Sequence, residues 1–287
     1  MAPAVPAAES VNTPPGWALA CVPGLEHGAS PRLVMQLAGG SVNRVYRVDS
    51  ADGRFVLRLN GAAWRRPGVD RERELLLHRA AASAGIAPAI VMAEPRSEGL
   101  LVLEYHDGQV WTPEAFGEAA SLERLGERLQ VLHQLTAPAI PVFDPMAIAR
   151  AYVQSIEARQ PERATGSQCA ATLRTILPRV EYAGALLQRR GDGASGIVHG
   201  DLAAGNLLQG RRLWLLDWEY AQRGHPLLDL ACVLAYYPRS AAHRREFAAA
   251  AGLAALADGE LLDEAVYVYR ALSWLWHLAR GEDAPAP

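Results

Sequence analysis

Two carboxylates and one carboxamide lie close together in an apolar stretch of this 287-residue chain. Asp201 and Asn206 are separated only by Leu, Ala and Gly residues, so the spacing predicts a loop rather than a helix. Asn206 opens the apolar segment NLLQGRRLWLLD, which ends at Asp217, and a turn at Gln209–Arg211 would make this segment a hairpin. A hairpin returns its end to its start. We therefore expect Asn206 and Asp217 to face one point, with Asp201 beside it.

Phosphoryl transfer needs groups of these three kinds. One carboxylate accepts the proton of an attacking hydroxyl, while a second carboxylate and an amide oxygen hold Mg²⁺, a hard cation that prefers oxygen ligands. Apolar strands on both sides would keep the ligands rigid and shielded from water, which strengthens each charge interaction. An isolated Asp and Asn at this spacing is common, so the inference rests on the joint pattern that follows.

The stretch HGDLAAGNLL, followed by LLDWEYA and PLLDLA, resembles the aminoglycoside phosphotransferase and choline/thiamine kinase families, which are small-molecule relatives of the protein kinases. The resemblance extends over residues 32–280, is strongest at 197–231, and is closest to the thiamine/choline branch. It implies that Asp201 is the catalytic base and that Asn206 and Asp217 are the Mg²⁺ ligands.

Two further residues of the same stretch receive structural roles from this resemblance. His199 would pack the catalytic loop, and Asp229 would anchor that loop from a helix.

Turn signals and hydrophobic periodicity indicate the elements that must position such a site. Residues 32–60 alternate as strands do and contain the hairpin turn SADG at 50–53, so they predict an antiparallel meander. The segment 70–88 predicts a helix, and GLLVLEYHDG at 99–108 predicts an apolar strand that ends at a lobe boundary.

Helices dominate after this boundary. The segment EAASLERLGERLQVLHQL places four leucines on one helix face: Leu122, Leu125, Leu129 and Leu132. Residues 146–190 carry a helical pattern that we expect to be interrupted at Pro161, Gly166 and Pro178. Further helices are predicted at 225–237, 240–252 and 263–280.

Strands followed by helices predict an α+β protein of two lobes. The resemblance makes this a protein-kinase-like fold, with a small antiparallel-sheet N-lobe that contains one helix and a larger, mostly helical C-lobe. The predicted domains are a flexible leader (1–16), a nucleotide-binding N-lobe (17–105), and a C-lobe with the catalytic loop and the acceptor pocket (106–287).

Phosphate-binding residues are expected in the first lobe. The segment LAGGSVNRVYRV places Gly39, Gly40 and Ser41 at a strand-to-strand turn, where glycine lets backbone N–H groups approach phosphate oxygens. The protein-kinase pattern G-x-G-x-x-G is absent. The loop instead resembles the GG-x-x-N turn of the choline kinase group, with Asn43 in place.

The strand RFVLRLN places Arg58 where kinases carry a phosphate-pairing lysine. An arginine here is similar to the VLR strand of choline and bacterial thiamine kinases, whereas the aminoglycoside enzymes carry lysine. The chain contains no lysine at all, so a general replacement of Lys by Arg also explains this residue.

A carboxylate on the following helix should orient Arg58. Glu72 and Glu74 point about 200° apart on a helix, so only one of them can face the site. The resemblance favours Glu74, because its distance along the sequence from the later segment GIAP is the one usual in these families. The segment VLEYHDG resembles the connection that contacts adenine in these families, through backbone groups near Glu104 and Tyr105.

The acceptor pocket is expected in the helical lobe. Glu219, in DWEYA, is a candidate for metal support or for binding a cationic acceptor, and an ordinary salt bridge is an equal alternative. Aromatic faces bind cations well, and choline kinases use late tryptophans for this purpose. Trp274 and Trp276 are two residues apart and point to opposite sides of a helix, so one is expected in the core and the other in the pocket.

The resemblance therefore implies an ATP- and Mg²⁺-dependent kinase of a small cationic metabolite of thiamine or choline/ethanolamine type. An aminoglycoside or amino-sugar phosphotransferase is an alternative with the same chemistry, although acidic residues after Tyr237 are few. A nucleotide-binding pseudokinase is the alternative of another class, and the three intact catalytic positions argue against it. The sequence leaves open which acceptor is used and whether GTP replaces ATP.

Composition excludes several other classes of function. A net charge of -3 gives no electrostatic case for a nucleic-acid or anionic-membrane partner. Three widely spaced cysteines form no zinc or redox motif and are typical of a reducing compartment. The chain shows no signal peptide and no apolar run of about 18 residues, so we expect a cytoplasmic enzyme whose partner is a small-molecule substrate, with no obligate protein partner.

Overall fold

The computed structural model describes residues 13–37, 43–60, 66–94, 99–162, 167–189 and 195–287. Most of the predicted leader and the whole AGGS turn lie outside the described residues. The chain groups into two compact units, residues 1–65 with 88–107 and residues 66–87 with 108–287. Segment 66–87, which the sequence pattern placed in the N-lobe, thus groups with the helical unit. The domain boundaries themselves stay a prediction, because grouping by proximity does not define domains that fold independently.

The first unit is built around an antiparallel sheet with the strand order β1-β2-β3-β5-β4. Its strands are β1 (Leu33–Gln36), β2 (Arg44–Asp49), β3 (Arg54–Leu59), β4 (Ile90–Glu94) and β5 (Leu100–Glu104). The N–H of Ser50 donates to the carbonyl of Gly53 at 2.9 Å and closes the β2–β3 hairpin, so the predicted SADG turn is confirmed. Alternate residues of β2 and β3 face the core and pack on helix α1 (Gly16–Leu19): Tyr46, Val48, Leu57 and Leu59.

The second unit is mostly helical. Its described helices are α2 (Arg71–Ser83), α3 (Ala119–His133), α4 (Pro145–Arg159), α5 (Ser167–Arg189), α6 (Leu227–Tyr236), α7 (Arg244–Ala250) and α8 (Glu260–Ala279). Two small sheets accompany them, one of β6 (Gln109–Val110), β8 (Leu207–Gln209) and β9 (Leu213–Leu215), the other of β7 (Gly196–Val198) and β10 (Gln222–Gly224). The α+β prediction is confirmed.

Helix boundaries follow local signals in the sequence. The side chain of Asp70 caps α2 by accepting from the N–H groups of Glu72 and Arg73, and Gly85, with φ of 67°, lies just past its end. The predicted leucine face of α3 is confirmed, because all four leucines are fully buried. This face belongs to the large core on which the small sheets also pack.

The expected interruption at Pro178 is wrong, because α5 continues through this residue. Proline removes one helical hydrogen bond and leaves a carbonyl without its partner. Pro178 lies on the exposed side of α5, so water can satisfy that carbonyl. Gly166, the second expected interruption, lies outside the described residues.

Among the described residues, no helix combines the length and the apolar character that crossing a bilayer requires.

Candidate functional site

One buried carboxylate holds the loop that carries Asp201. Asp229, in the first turn of α6, is fully buried. Its Oδ2 accepts a hydrogen bond from the backbone N–H of His199 at 3.0 Å, and its Oδ1 accepts one from the N–H of Gly200 at 2.9 Å. Nε2 of His133 lies 2.9 Å from the same Oδ2. These contacts confirm that Asp229 anchors the loop from a helix.

His199 ties this loop to the segment that precedes Asp217. Its Nε2 lies 2.9 Å from the carbonyl oxygen of Leu216, and its Nδ1 accepts from the N–H of Asp201 at 3.3 Å. One donor and one acceptor are the pattern of a neutral imidazole with the proton on Nε2. Burial lowers the pKa of His199, which also favours the neutral ring. His199 is therefore a structural residue of the loop, as predicted.

The hairpin that begins at Asn206 is also confirmed. Strands β8 and β9 pair antiparallel with Leu207 opposite Leu215, and the N–H of Leu216 donates to the carbonyl of Asn206 at 2.8 Å. This pairing brings Asp217, the next residue, back to the start of the hairpin. The segment therefore returns on itself as the apolar pattern predicts.

Asn206 touches Asp201 directly. Its Nδ2 donates to the backbone oxygen of Asp201 at 2.9 Å and to its Oδ2 at 3.0 Å. Because both partner atoms of Asp201 are acceptors, the amide nitrogen of Asn206 must face Asp201, and its Oδ1 must point away from Asp201. The carboxamide thus orients the carboxylate of Asp201 and keeps its own oxygen for another ligand.

Two residues of the site have a positive φ angle. Gly200 has φ of 78°, and a Cβ at this position would lie 2.6 Å from the carbonyl oxygen of Tyr220. Asp217 has φ of 55°, a conformation that costs a non-glycine residue about 1–2 kcal/mol. Such a conformation persists only where the surrounding contacts determine it, and it is concentrated at functional sites.

The electrostatic surroundings of Asp201 differ from those of an ordinary surface carboxylate. Burial, followed by the negative charges of Asp217 and Glu219, raises the pKa of Asp201 to about 7. The hydrogen bond from Asn206 and the positive charge of Arg66 act in the opposite direction. A carboxylate with a pKa near neutrality is suited to accept a proton and to release it again.

Glu219 is buried and bonded to two arginines. Its Oε1 accepts from Nη2 of Arg66 at 2.7 Å, and its Oε2 accepts from Nη1 of Arg71 at 3.1 Å. The same Nη1 donates to Oε2 of Glu74 at 2.6 Å. Of the alternatives that the sequence left open for Glu219, the observed contacts are those of the ion pair. A direct role of Glu219 towards metal or acceptor stays a prediction.

The two candidate carboxylates of α2 are clearly different. Glu74 is buried, whereas Glu72 is exposed to solvent. This agrees with the choice of Glu74 as the inward-facing carboxylate. That Glu74 orients Arg58 stays a prediction, and Arg58 itself is a buried residue of β3.

The remaining residues predicted to bind nucleotide belong to the first unit. Gly39, Gly40 and Ser41 lie outside the described residues, and Asn43 is buried just before β2. For all four the predicted role stays a prediction.

The segment predicted to contact adenine has its N–H groups engaged within the first unit. The N–H of Glu104 donates to Ala89 at 3.0 Å and the N–H of Tyr105 donates to Arg54 at 3.1 Å. That backbone groups near these two residues contact adenine stays a prediction.

The two late tryptophans occupy different surroundings, as their spacing predicts. Trp274 is buried among the apolar residues of α4, α5 and α8. Trp276 is only partly buried and forms a side-chain hydrogen bond with Tyr220, whose hydroxyl lies 3.5 Å from Nη1 of Arg66. Burial raises the pKa of Tyr220, and this hydrogen bond acts in the opposite direction. Trp276 is therefore the tryptophan on the side of the candidate site. Its role towards an acceptor stays a prediction.

Several residues around Asp201 and Glu219 were not found from the sequence. They are Arg66, Arg71, Tyr220 and Tyr236. The spacing of Arg71 and Glu74 by three residues on one helix is a signal that could have identified that pair. No local pattern marks Tyr236, which is 38% exposed although burial, then Cys232 and Asp201, raise the pKa of its hydroxyl.

Known proteins resemble the chain in sequence and in fold. The sequence model of the phosphotransferase enzyme family matches residues 34–265. The chain is similar to the structure of a choline/ethanolamine kinase family protein from Mesorhizobium loti, with 25% identity and a TM-score of 0.69 over 92% of this chain and 83% of that one. A comparison with curated protein sequences found no match.

More distant similarities extend to two further structures. Choline kinase LicA from Streptococcus pneumoniae is 18% identical, with a TM-score of 0.66 over 91% of this chain and 90% of that one. A spectinomycin phosphotransferase, APH(9)-Ia, in complex with ADP and spectinomycin is 15% identical, with a TM-score of 0.61 over 88% of this chain and 83% of that one. At 18% and 15% identity, these two similarities show a shared fold only.

The anchoring role of Asp229 can be tested by stability. Asp229→Ala leaves the buried N–H of His199 and the part-buried N–H of Gly200 without their acceptor, and we expect it to lower the free energy of unfolding by at least ~2 kcal/mol. Urea denaturation measures this loss. Glu123→Ala on α3, where the side chain is exposed, is the control and should change stability by less than about 0.5 kcal/mol. Equal midpoints for the two variants would contradict the anchor.

Proposed function

Because this chain belongs to the phosphotransferase enzyme family and is a small-molecule kinase, we propose that it moves the γ-phosphate of ATP, with Mg²⁺, to a hydroxyl of a small cationic metabolite of thiamine or choline/ethanolamine type. The observation that carries the proposal is the contact of Asn206 with Asp201 at 3.0 Å, together with the backbone bond that brings Asp217 to Asn206. These contacts support a site in which the proposed base and the two proposed oxygen ligands act together.

Asp201 is the proposed catalytic base. Its carboxylate accepts the proton of the acceptor hydroxyl while the hydroxyl oxygen bonds to the γ-phosphorus and the bond to ADP breaks. The raised pKa of Asp201 matches this task, because a base with a pKa near the working pH is both ionised and basic enough to take the proton. The amide of Asn206 fixes the direction in which the carboxylate points.

Asn206 and Asp217 are the proposed ligands of Mg²⁺. The donor chemistry fits, because one carboxylate and one amide oxygen are hard ligands and the amide nitrogen of Asn206 is already engaged by Asp201. Among the described residues, no three or more His, Cys, Asp or Glu side chains group together as ligands for a metal ion, so the proposed Mg²⁺ would take these two protein ligands and complete its shell with water and phosphate oxygens. Bound Mg²⁺ supplies positive charge that neutralises the phosphate oxygens.

ATP is proposed to bind through residues that resemble those of the family. These are Gly39, Gly40, Ser41, Asn43, Arg58, Glu74, Glu104 and Tyr105. Arg58 would pair with phosphate and Glu74 would orient it. A structural neighbour in complex with ADP supports a nucleotide as the donor.

A cationic acceptor is proposed from the aromatic residues near Asp201. Tyr236, Tyr220 and Trp276 present rings and hydroxyls in a region where Asp201 and Asp217 carry negative charge. Cations bind to such ring faces, with a gain of about 0.5–2 kcal/mol. Because two arginines already neutralise Glu219, we assign the recognition of the cation to these rings. The similarity to choline and ethanolamine kinases supports the same class of acceptor.

The role of Asp201 is tested by removing its carboxylate. We expect Asp201→Ala to lose activity by about 10²–10⁴-fold, because the proton acceptor is gone, and to keep its affinity for ADP. Turnover is measured as ADP release and affinity by calorimetry. Glu72→Ala, at an exposed position of α2, is the control and should behave as wild type. Turnover of Asp201→Ala equal to wild type would remove Asp201 as the base.

The pH dependence of the reaction tests the raised pKa of Asp201. Only the ionised carboxylate accepts a proton, so kcat/KM should decline as the pH falls below about 7, by about tenfold per unit. The sign follows from the raised pKa, since protonation sets in at a higher pH than for an ordinary carboxylate. The profile is recorded between pH 5 and 9. A profile that stays level to pH 5 would refute the assignment.

The class of acceptor is tested with a panel of thiamine, choline, ethanolamine, amino sugars and aminoglycosides, assayed for ADP release. Choline and its neutral carbon isostere 3,3-dimethylbutan-1-ol form a matched pair. We expect Tyr236→Leu to reduce the preference for the cation by about 2- to 30-fold. Tyr182→Leu, at an exposed position of α5, is the control. Turnover of aminoglycosides alone would replace the proposed acceptor class.

A further inference from the structure

Four charged side chains form a continuous series of ion pairs, in the order Arg66, Glu219, Arg71 and Glu74, which we call the arginine–glutamate network. Arg66 is partly buried and the other three are buried. Arg71 is its central link, because a single nitrogen of its guanidinium donates to both Glu74 at 2.6 Å and Glu219 at 3.1 Å. The side chains of Arg71, Glu74 and Glu219 are 6%, 1% and 6% exposed. The link therefore lies out of contact with bulk water.

Stability alone does not explain this arrangement. Burial of an ion pair removes the hydration of both partners, and the attraction between them often fails to offset that loss. Nε and Nη2 of Arg71 and Nε of Arg66 are buried and meet no acceptor among the described residues. Unpaired buried donors add a further penalty. In other proteins, apolar side chains of similar volume are often as stabilising as a buried ion pair, or more so.

The position of Glu219 in the sequence indicates what the arginine–glutamate network does. Glu219 follows the proposed Mg²⁺ ligand Asp217 by two residues, and Asp217 has the strained φ of 55°. On the N-terminal side, Leu216 is held by Asn206 and His199. On the C-terminal side, the carboxylate of Glu219 is bonded to Arg66 and Arg71. The strained residue is thus fixed from both sides.

We propose that Arg71 is a positioning residue for Mg²⁺, which acts by holding Glu219 and thereby the backbone of Asp217 in its binding conformation. This inference rests on the proposed function, because it assumes that Asp217 binds the metal. Arg71 comes from helix α2, whereas Asp217 lies just after strand β9. The metal ligand is therefore positioned by a helix distant in sequence, and its affinity for the cation depends on a residue that does not touch the cation.

The test measures how much Mg²⁺ increases the affinity for ADP. Calorimetric titration of the full chain with ADP is carried out with saturating Mg²⁺ and with a chelator, and the ratio of the two affinities is the metal gain. In Arg71→Met we expect this gain to fall by about tenfold or more, as is typical when a residue that orients a metal ligand is replaced. Glu219→Gln should lower it in the same direction.

Two milder substitutions, Arg71→Lys and Glu219→Gln, keep the test informative even if Arg71→Met does not fold. Arg71→Lys retains the charge but lacks the planar fork, so it should lower the metal gain less than Arg71→Met does. If Arg71→Met does not fold, as judged by circular dichroism and cooperative melting, Arg71→Lys and Glu219→Gln decide by the same ratio. The double variant should be no worse than the more affected single variant, because both changes break one unit.

Arg179→Met is the matched control. Arg179 forms a bidentate ion pair with Glu264 at 3.1 and 2.9 Å on the surface, and its loss should leave the metal gain unchanged. A folded Arg71 variant with the metal gain of wild type would overturn the inference and leave the proposed function intact. If Mg²⁺ has no effect on the affinity of the wild type for ADP, the proposed function fails and the inference fails with it.

Discussion

Two hydrogen bonds from one carboxylate determine the geometry on which this site depends. Asp229 is fully buried and accepts from the consecutive N–H groups of His199 and Gly200. The loop before Asp201 is thereby fixed in a turn that only glycine adopts without strain at its second position. His199 is oriented by the same turn and binds Leu216, so the segment of Asp217 is fixed relative to Asp201.

The carboxylates of Asp201 and Glu219 are shielded from water, and the protein stabilises them in two different ways. Around Asp201, burial and, after it, neighbouring negative charges raise the pKa of the carboxyl group, so that its charge can change near neutral pH. Around Glu219, two guanidinium groups compensate the charge permanently. The first arrangement is suited to a group that exchanges a proton, and the second to one that holds the backbone in place.

Local patterns accounted for much of the fold and for the core of the candidate site. The turn at SADG, the leucine face of α3 and the hairpin from Asn206 to Asp217 depend on residues that are neighbours in sequence, and all were predicted. Asp229 was identified because the resemblance assigned it a role. The predicted break at Pro178 was wrong, since the helix continues through this exposed position, where water can hydrogen-bond the carbonyl that proline leaves unpaired, and periodicity does not reveal this.

The sequence by itself determined the type of fold, the family and the three residues proposed for catalysis, because strand and helix periodicity and a short motif are properties of contiguous residues. Only the tertiary structure showed that Arg66 and Arg71 meet Glu219, and that Trp276 rather than Trp274 lies towards Asp201. The reason is physical: a buried charge is paired by whichever opposite charge the packing of distant elements brings within hydrogen-bond distance, and no local spacing encodes that choice.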